Sequence, residues 1–240
     1  MNYTRIYLDN DFLLEDKIIL SKDTSNYLIN VLRKKNGDQI KLFNGRGYSC
    51  LAEIIKEKNN LSIRILENRR FVPPGGINIF LGQCLLKPDP FSFSIQKATE
   101  LGTRSITPLR SERTVAKINE KTQSVRLSRW KKIAINACEQ CGEDWLPEIS
   151  YIQSLRNWCA HTKAETKVVL YPKAQRRLSQ ISFGKSLALA IGPEGDFTTN
   201  EIDLLEENKF IPVTIGSRVL RAETAVISSI SAVRSLCGEF

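Results

Sequence analysis

A single histidine in 240 residues is the first constraint. Any Ser–His or Cys–His catalytic pair would have to use His161, and the stretch HTKAE around it offers no such arrangement. No apolar run approaches the length of a membrane span. The N-terminal MNYTRIYLDNDF lacks the apolar core of a secretory signal, so a cytoplasmic protein is expected. Neither G-x-G-x-x-G nor G-x-x-x-x-G-K-[ST] occurs, which removes the ordinary dinucleotide and P-loop readings. Internal repeats and low-complexity segments are missing too. Six cysteines (Cys50, Cys84, Cys138, Cys141, Cys159, Cys237) are scattered, which does not suggest a disulfide framework. Cys138-x-x-Cys141 and Cys159-x-His161 hold four possible zinc ligands, but the first pair sits inside a helical pattern, RWKKIAINACEQCG. No metal is expected.

What is present is an ordinary globular composition, 42% hydrophobic and 25% charged, long enough for one large domain or two ordinary ones. Lys plus Arg exceeds Asp plus Glu by 35 − 26 = +9, which favours a polyanionic partner. The excess is densest from Arg104 to Lys132, where Arg110, Arg113, Lys117, Lys121, Arg126, Arg129 and Lys131 face only Glu112 and Glu120. Such a segment can track phosphates, or it can be a solvated helix face.

The first seventy residues read as short strands (TRIYL, KIIL, DQIKLFN, YSCLAEIIKEK, LSIRILENRRF) around one capped amphipathic helix, SKDTSNYLINVLRKK. Gly45-Arg46-Gly47 predicts a hairpin and Asn59-Asn60 a turn. This spacing suggests a small β-barrel over 1–72. VPPGG (Val72 to Gly76) is the clearest linker. From 73 to 240 strands and helices alternate, which predicts a parallel sheet covered by helices on both faces. INIFLGQC, SITPL, EISYI, KVVLY, SLALAIG and VTIG are the strands. PFSFSIQKATELG is a helix with Pro90 in its first turn, Gly102 at its end, and a buried stripe of Phe91, Ile95 and Ala98.

Ligands of parallel sheets bind at the carboxyl ends of strands. Three such ends are informative: Leu170-Tyr171-Pro172, IGPEGDF from Ile191 to Phe197, and Ile215-Gly216 followed by SRVLRAETA. In IGPEGDF two glycines flank a rigid proline and an acid. That pattern fits either a close backbone approach to a ligand or a tight strand-to-helix connection capped by Thr198 or Thr199.

The ordered set LLKPDPFSFSIQKATELG, SERTV, ACEQCG, IGPEGDF and IGSRVLRAETA closely resembles the ribosomal small-subunit methyltransferase E family. NYLINVLRKKNGDQIKLFNGRGYSCLAEI resembles its first domain, so the likeness covers essentially the whole chain. The resemblance implies a PUA-like β-barrel that helps hold RNA, followed by an α/β SPOUT methyltransferase domain tied in a trefoil knot. It further implies a homodimer that methylates N3 of a uridine in 16S rRNA of the small ribosomal subunit, with S-adenosylmethionine held in the knot. Leu170, Tyr171, Pro172, Ile191, Gly192, Pro193, Gly195, Ile215, Gly216, Val219, Leu220 and Thr224 then become the cofactor residues. The sequence departs from the family at four points. Asp196 replaces a glycine, Gly142-Glu143 stands where the family has a residue followed by arginine, Tyr27 replaces a common histidine, and Ala222 follows Arg221.

Methyl transfer to N3 needs a group for developing charge and one for the proton. Arg221 fits the first role, Glu223 or Glu194 the second. Each also has a structural reading: an ion pair for Arg221, a helix N-terminal charge for Glu223, an acceptor for loop amides for Glu194, and a local cap for Thr224. Arg33, Lys87, Lys97, Arg113, Arg129 and Lys132 are candidate phosphate contacts, and Glu139 and Gln140 face either RNA or a dimer partner. Two rivals remain: a sister enzyme acting on a ribose 2′-hydroxyl or on tRNA, and a non-catalytic RNA-binding module of the same fold.

Overall fold

The computed structural model describes residues 3–58, 60–114 and 123–240. Asn59 of the expected turn, and Lys117, Glu120 and Lys121 of the basic stretch, lie outside the described residues. The chain divides into two compact units, Met1–Pro74 with Cys138–Leu146, and Gly75–Ala137 with Pro147–Phe240.

The first unit is built on a six-stranded sheet. Strands β1 (Thr4–Tyr7), β3 (Gln39–Phe43), β4 (Tyr48–Lys56), β5 (Leu61–Ile65) and β2 (Lys17–Ile19) lie in that order, and β6 (Arg70–Phe71) pairs with β4. Along β4 alternate residues are buried, Cys50, Ala52 and Ile54 among them, and they join Ile40, Leu42 and Ile63 of the neighbouring strands in one core. The expected helix is shorter than its pattern. Ser21 accepts from Thr24 N to cap α1 (Lys22–Asn26), which continues as a π-helical turn, Tyr27–Val31, that buries Leu28.

The segment 138–146 belongs to this unit through specific bonds. Arg5 donates to Asp144 Oδ1 at 2.6 Å, and Ser49 Oγ to Asp144 Oδ2 at 2.9 Å. Trp145 Nε1 donates to Val72 O at 2.9 Å.

The second unit is α/β. Its sheet runs β10 (Gln153–Ser154), β8 (Ser105–Arg110), β7 (Asn78–Cys84), β12 (Ser186–Ile191), β11 (Thr166–Leu170), β13 (Ile211–Val213), with β9 (Glu148–Ile149) on β8. Every pairing in it is parallel. Strand β12 is buried from Leu187 to Ile191, as a central parallel strand covered on both faces requires.

One face of β12 presents Ala188 and Ala190, which pack with Leu155, Trp158 and Cys159 of α4 (Leu155–His161) and Ile202 and Leu205 of α5 (Thr199–Glu207). Small residues are needed there because Trp158 occupies the space. A Cβ on Gly82, the register partner of Ala190, would lie 2.5 Å from its ring. The other helices are α2 (Pro88–Glu100), α3 (Gln123–Cys141) and α6 (Ala222–Leu236). α2 packs on α6 and buries the expected stripe, Phe91, Ile95 and Ala98. After β13 the chain bonds back to the loop that follows β11. Thr214 N donates to Arg176 O and Leu178 N to Thr214 O, both at 2.9 Å, while α6 packs on the 3₁₀ turn Leu178–Gln180.

Candidate active site

Because β11 pairs in parallel with both β12 and β13, the carboxyl ends of these three strands lie side by side. Their loops enclose a cavity of about 870 Å³, within the usual range for small-molecule and cofactor sites. One wall is Leu170, Tyr171 and Pro172. A second is Ile191 to Glu194 with Asp196. A third is Val213 to Ile215 with Arg218 to Arg221. The start of α6 adds Ala222, Glu223 and Ala225, and the start of α2 adds Lys87 and Pro90.

The second wall owes its shape to a tight turn in which Asp196 N donates to Pro193 O at 2.9 Å. Asp196 leaves the turn at φ +62°, the left-handed region glycine occupies without steric cost. This is the position where the sequence departs from the resembled family. The aspartate is tolerated because its Oδ1 accepts from Phe197 N at 2.8 Å, a local bond that compensates this conformation. Burial holds the Asp196 carboxyl above the usual range, against the Phe197 N–H and the charges of Arg113 and Lys173, which favour the ionised form. Next, Thr198 caps α5 reciprocally with Glu201: Thr198 N donates to Glu201 Oε2 at 2.9 Å, and Glu201 N to Thr198 Oγ1 at 3.3 Å.

Nine of the twelve residues assigned to the cofactor line this cavity; Gly195, Gly216 and Thr224 do not. Gly195 makes room for a side chain of the chain itself. A Cβ there would lie 3.3 Å from Arg113 Cβ, and Arg113 Nη1 donates to Gly195 O at 2.8 Å. Gly216 is exposed with open space around it, and Thr224 is exposed. Thr214, Asp196 and Arg218 line the site although the sequence did not mark them as cofactor or catalytic residues. Arg218 was legible only as a second cation in SRVLR.

Arg221, Glu223 and Glu194 all reach the cavity. Arg221 is the N-cap residue of α6 without a side-chain capping bond, and among the described residues neither it nor Arg218 has an ion-pair partner. The ion-pair reading of Arg221 therefore has no counterpart there. Glu223 lies in the first turn of α6, and Glu194 Oε1 accepts from Lys87 N at 3.2 Å.

The candidate RNA contacts do not form one set. Arg129, Lys132 and Gln140 are exposed on α3, and Arg33 is exposed at φ +54°. Lys87 stands at the cavity, Lys97 is paired with Glu100 at 2.8 Å, and Arg113 is bonded to Gly195. Glu139 faces the fold: its Oε1 accepts from Tyr7 N at 3.0 Å, and burial raises its carboxyl pKa. Glu143, in place of the family's arginine, accepts from Asp144 N and Trp145 N and so shapes that turn. His161 Nδ1 donates to Asn157 O at 2.8 Å, within one turn of α4. Burial pushes the Cys138 thiol up to about 12. No group of three or more metal-ligating side chains is gathered among the described residues.

The class that this fold and site define is the RNA methyltransferases. The model of an RNA methyltransferase domain matches residues 73–234, and that of an RNA methyltransferase PUA domain matches residues 20–66. Ribosomal RNA small subunit methyltransferase E of Buchnera aphidicola subsp. Schizaphis graminum is 35% identical over 98% of this chain and 97% of its own; that of Rickettsia conorii is 32% identical with the same coverage. A solved structure of a candidate methyltransferase from Legionella pneumophila, with S-adenosylmethionine bound, superposes with a TM-score of 0.93 at 32% identity and 98% of both chains. The small-subunit methyltransferase E of Neisseria gonorrhoeae, bound to the same molecule, gives 0.88 at 31% identity, also over 98% of both chains. The chain belongs to the ribosomal RNA small subunit methyltransferase E family.

Proposed function

We propose that this chain transfers a methyl group from S-adenosylmethionine to N3 of a uridine in 16S rRNA. The observation that carries the proposal is the cavity at three adjacent strand ends, which joins apolar walls to Arg218, Arg221, Glu194 and Glu223. S-adenosylmethionine is the methyl donor, bound in two solved structures that match 98% of this chain. The lining fits it. Leu170, Ile191, Val213, Ile215 and Leu220 offer apolar surface to a purine, and Glu194 and Asp196 offer carboxylates to its positive charges. When bound, it supplies a methyl group carried on a sulfonium, which is also the leaving group.

The chain's own residues do the rest. Uracil N3–H is a weak acid between two carbonyls, so loss of its proton leaves negative charge on their oxygens. Arg221, at the cavity and unpaired among the described residues, stabilises that charge. Glu223 accepts the proton, and Glu194 is the alternative acceptor. Arg129 and Lys132, exposed on α3, supply phosphate contacts. A ribosomal substrate places the enzyme in the cytoplasm. A homodimer is part of the proposal, supported by exposed apolar residues on and after α6, Leu236 and Phe240.

The test is to incubate the full chain with labelled S-adenosylmethionine and unmodified 16S rRNA or small subunits, then digest to nucleosides. Label in 3-methyluridine is expected. Label on a ribose 2′-oxygen, or in tRNA only, would move the activity to the sister reading, and no label in any RNA would leave a binding module.

A further inference from the structure

Arg113 reads in the sequence as one phosphate contact among many, but its surroundings give it a different task. It follows β8, and among the described residues its guanidinium forms no ion pair within 4.0 Å, although its charge acts on Asp196. Nη1 donates to the carbonyl of Gly195 at 2.8 Å. Its stem fills the space a Gly195 side chain would need, with Cβ and Cδ 3.3 and 3.4 Å from an ideal Cβ position. Neither Arg113 nor Gly195 lines the cavity, whereas Glu194 and Asp196, on either side of Gly195, both do.

The segment carrying Arg113 is itself held in place. Ser111 N donates to Thr114 Oγ1 at 2.9 Å, and Glu112 N to Glu201 Oε1 at 2.8 Å. The other oxygen of buried Glu201 takes Thr198 N, two residues beyond Asp196.

We propose that Arg113 is a positioning residue for the cofactor loop, holding the Gly195 peptide so that Glu194 and Asp196 present their side chains to the cavity. This rests on the reading that the cavity binds S-adenosylmethionine. A guanidinium suits the task because its stem packs flat on the glycine while its head donates along a fixed direction; lysine offers charge without that geometry.

The test uses the full chain and S-adenosylmethionine in calorimetry, with filter binding of 16S rRNA in parallel. Heat of binding to the wild type checks the cavity reading first, since its absence sinks that reading whatever Arg113 does. Arg113→Ala is expected to weaken cofactor affinity about tenfold, the loss of one charged hydrogen bond, with RNA affinity within about twofold of wild type. Arg113→Lys is expected to recover only part of the loss. Gly195→Ala is expected to weaken binding in the wild type and to cost much less beside Arg113→Gly, because the Cβ and Cδ that would crowd the new methyl are both gone.

A readout that mere loss of stability would not move is the pH profile. Asp196 is faced by Arg113, Lys173, Glu201 and the Cys84 thiol. Removing Arg113 is expected to shift the acid limb of cofactor binding to higher pH. Unchanged cofactor affinity with weakened RNA binding in Arg113→Ala would overturn the proposal and return Arg113 to the phosphate contacts. So would Gly195→Ala costing the same in both backgrounds.

Discussion

Asp196 shows how one side chain can stand in for a glycine. Its φ of +62° is strained for an L-residue, and its carboxylate answers with a bond to Phe197 N. Asp196→Gly removes both the strain and the bond, so it is expected to be nearly neutral. Asp196→Ala keeps the strain and loses the bond, and is expected to cost about 1 kcal/mol or more; thermal melts that rank alanine above glycine would contradict this. The raised carboxyl pKa has a sign as well. A carboxylate that is harder to ionise when folded favours the native state at low pH and loses that contribution as pH rises through its folded value. Asp196→Asn is therefore expected to gain stability at neutral pH relative to wild type, with the gain shrinking as pH falls through the raised folded value and gone below the ordinary aspartate range. The proton acceptor separates in kinetics. Glu223→Gln is expected to lower kcat with cofactor affinity little changed, and Glu194→Gln to behave so only if Glu194 is the acceptor. The three strand-end motifs were legible because glycine, proline and paired charges at strand ends carry meaning. The inward role of Gly195 was not, since the space it leaves is filled by Arg113, 82 residues earlier in the chain.

At the scale of elements, the connection from β12 to α5 carries most of the local order. Glu201 accepts from Thr198 N to close the capping box and from Glu112 N to tie in the segment after β8. Glu201→Ala leaves both N–H groups without this partner, at a cost of about 1–3 kcal/mol. Its melting temperature and cofactor affinity are expected to fall together, and loss of stability alone would separate the cap from the site. The sequence showed Thr198 as one of two caps, and the buried stripe of α2 followed directly from its i, i+4, i+7 spacing. The π-helical turn at Tyr27–Val31 was not legible, because its residues continue a helical pattern. Strand β10 is only two residues long and has no period to detect.

Across the whole molecule, the +9 charge matches a ribosomal substrate, but the cations divide by task. Arg5 is bonded to Asp144, Lys97 to Glu100 and Arg113 to Gly195, so part of the excess is engaged within the fold. Replacing Arg129 and Lys132 together by alanine is expected to weaken RNA binding, with the salt dependence shallower by up to about two ions, and to leave cofactor affinity unchanged; an unaltered salt slope would remove them from the contact set. The alternation of strands and helices in the sequence already marked the second unit as α/β. The attachment of residues 138–146 to the first unit was hidden, because it depends on single pairs such as Arg5 with Asp144, which are distant in sequence. The most direct measurement of the central claim is a crystal structure of the full chain soaked with S-adenosylhomocysteine. Density is expected within the cavity walled by Leu170–Pro172, by Ile191–Glu194 with Asp196, and by Val213–Ile215 with Arg218–Arg221, and a ligand bound anywhere else at saturation would contradict it.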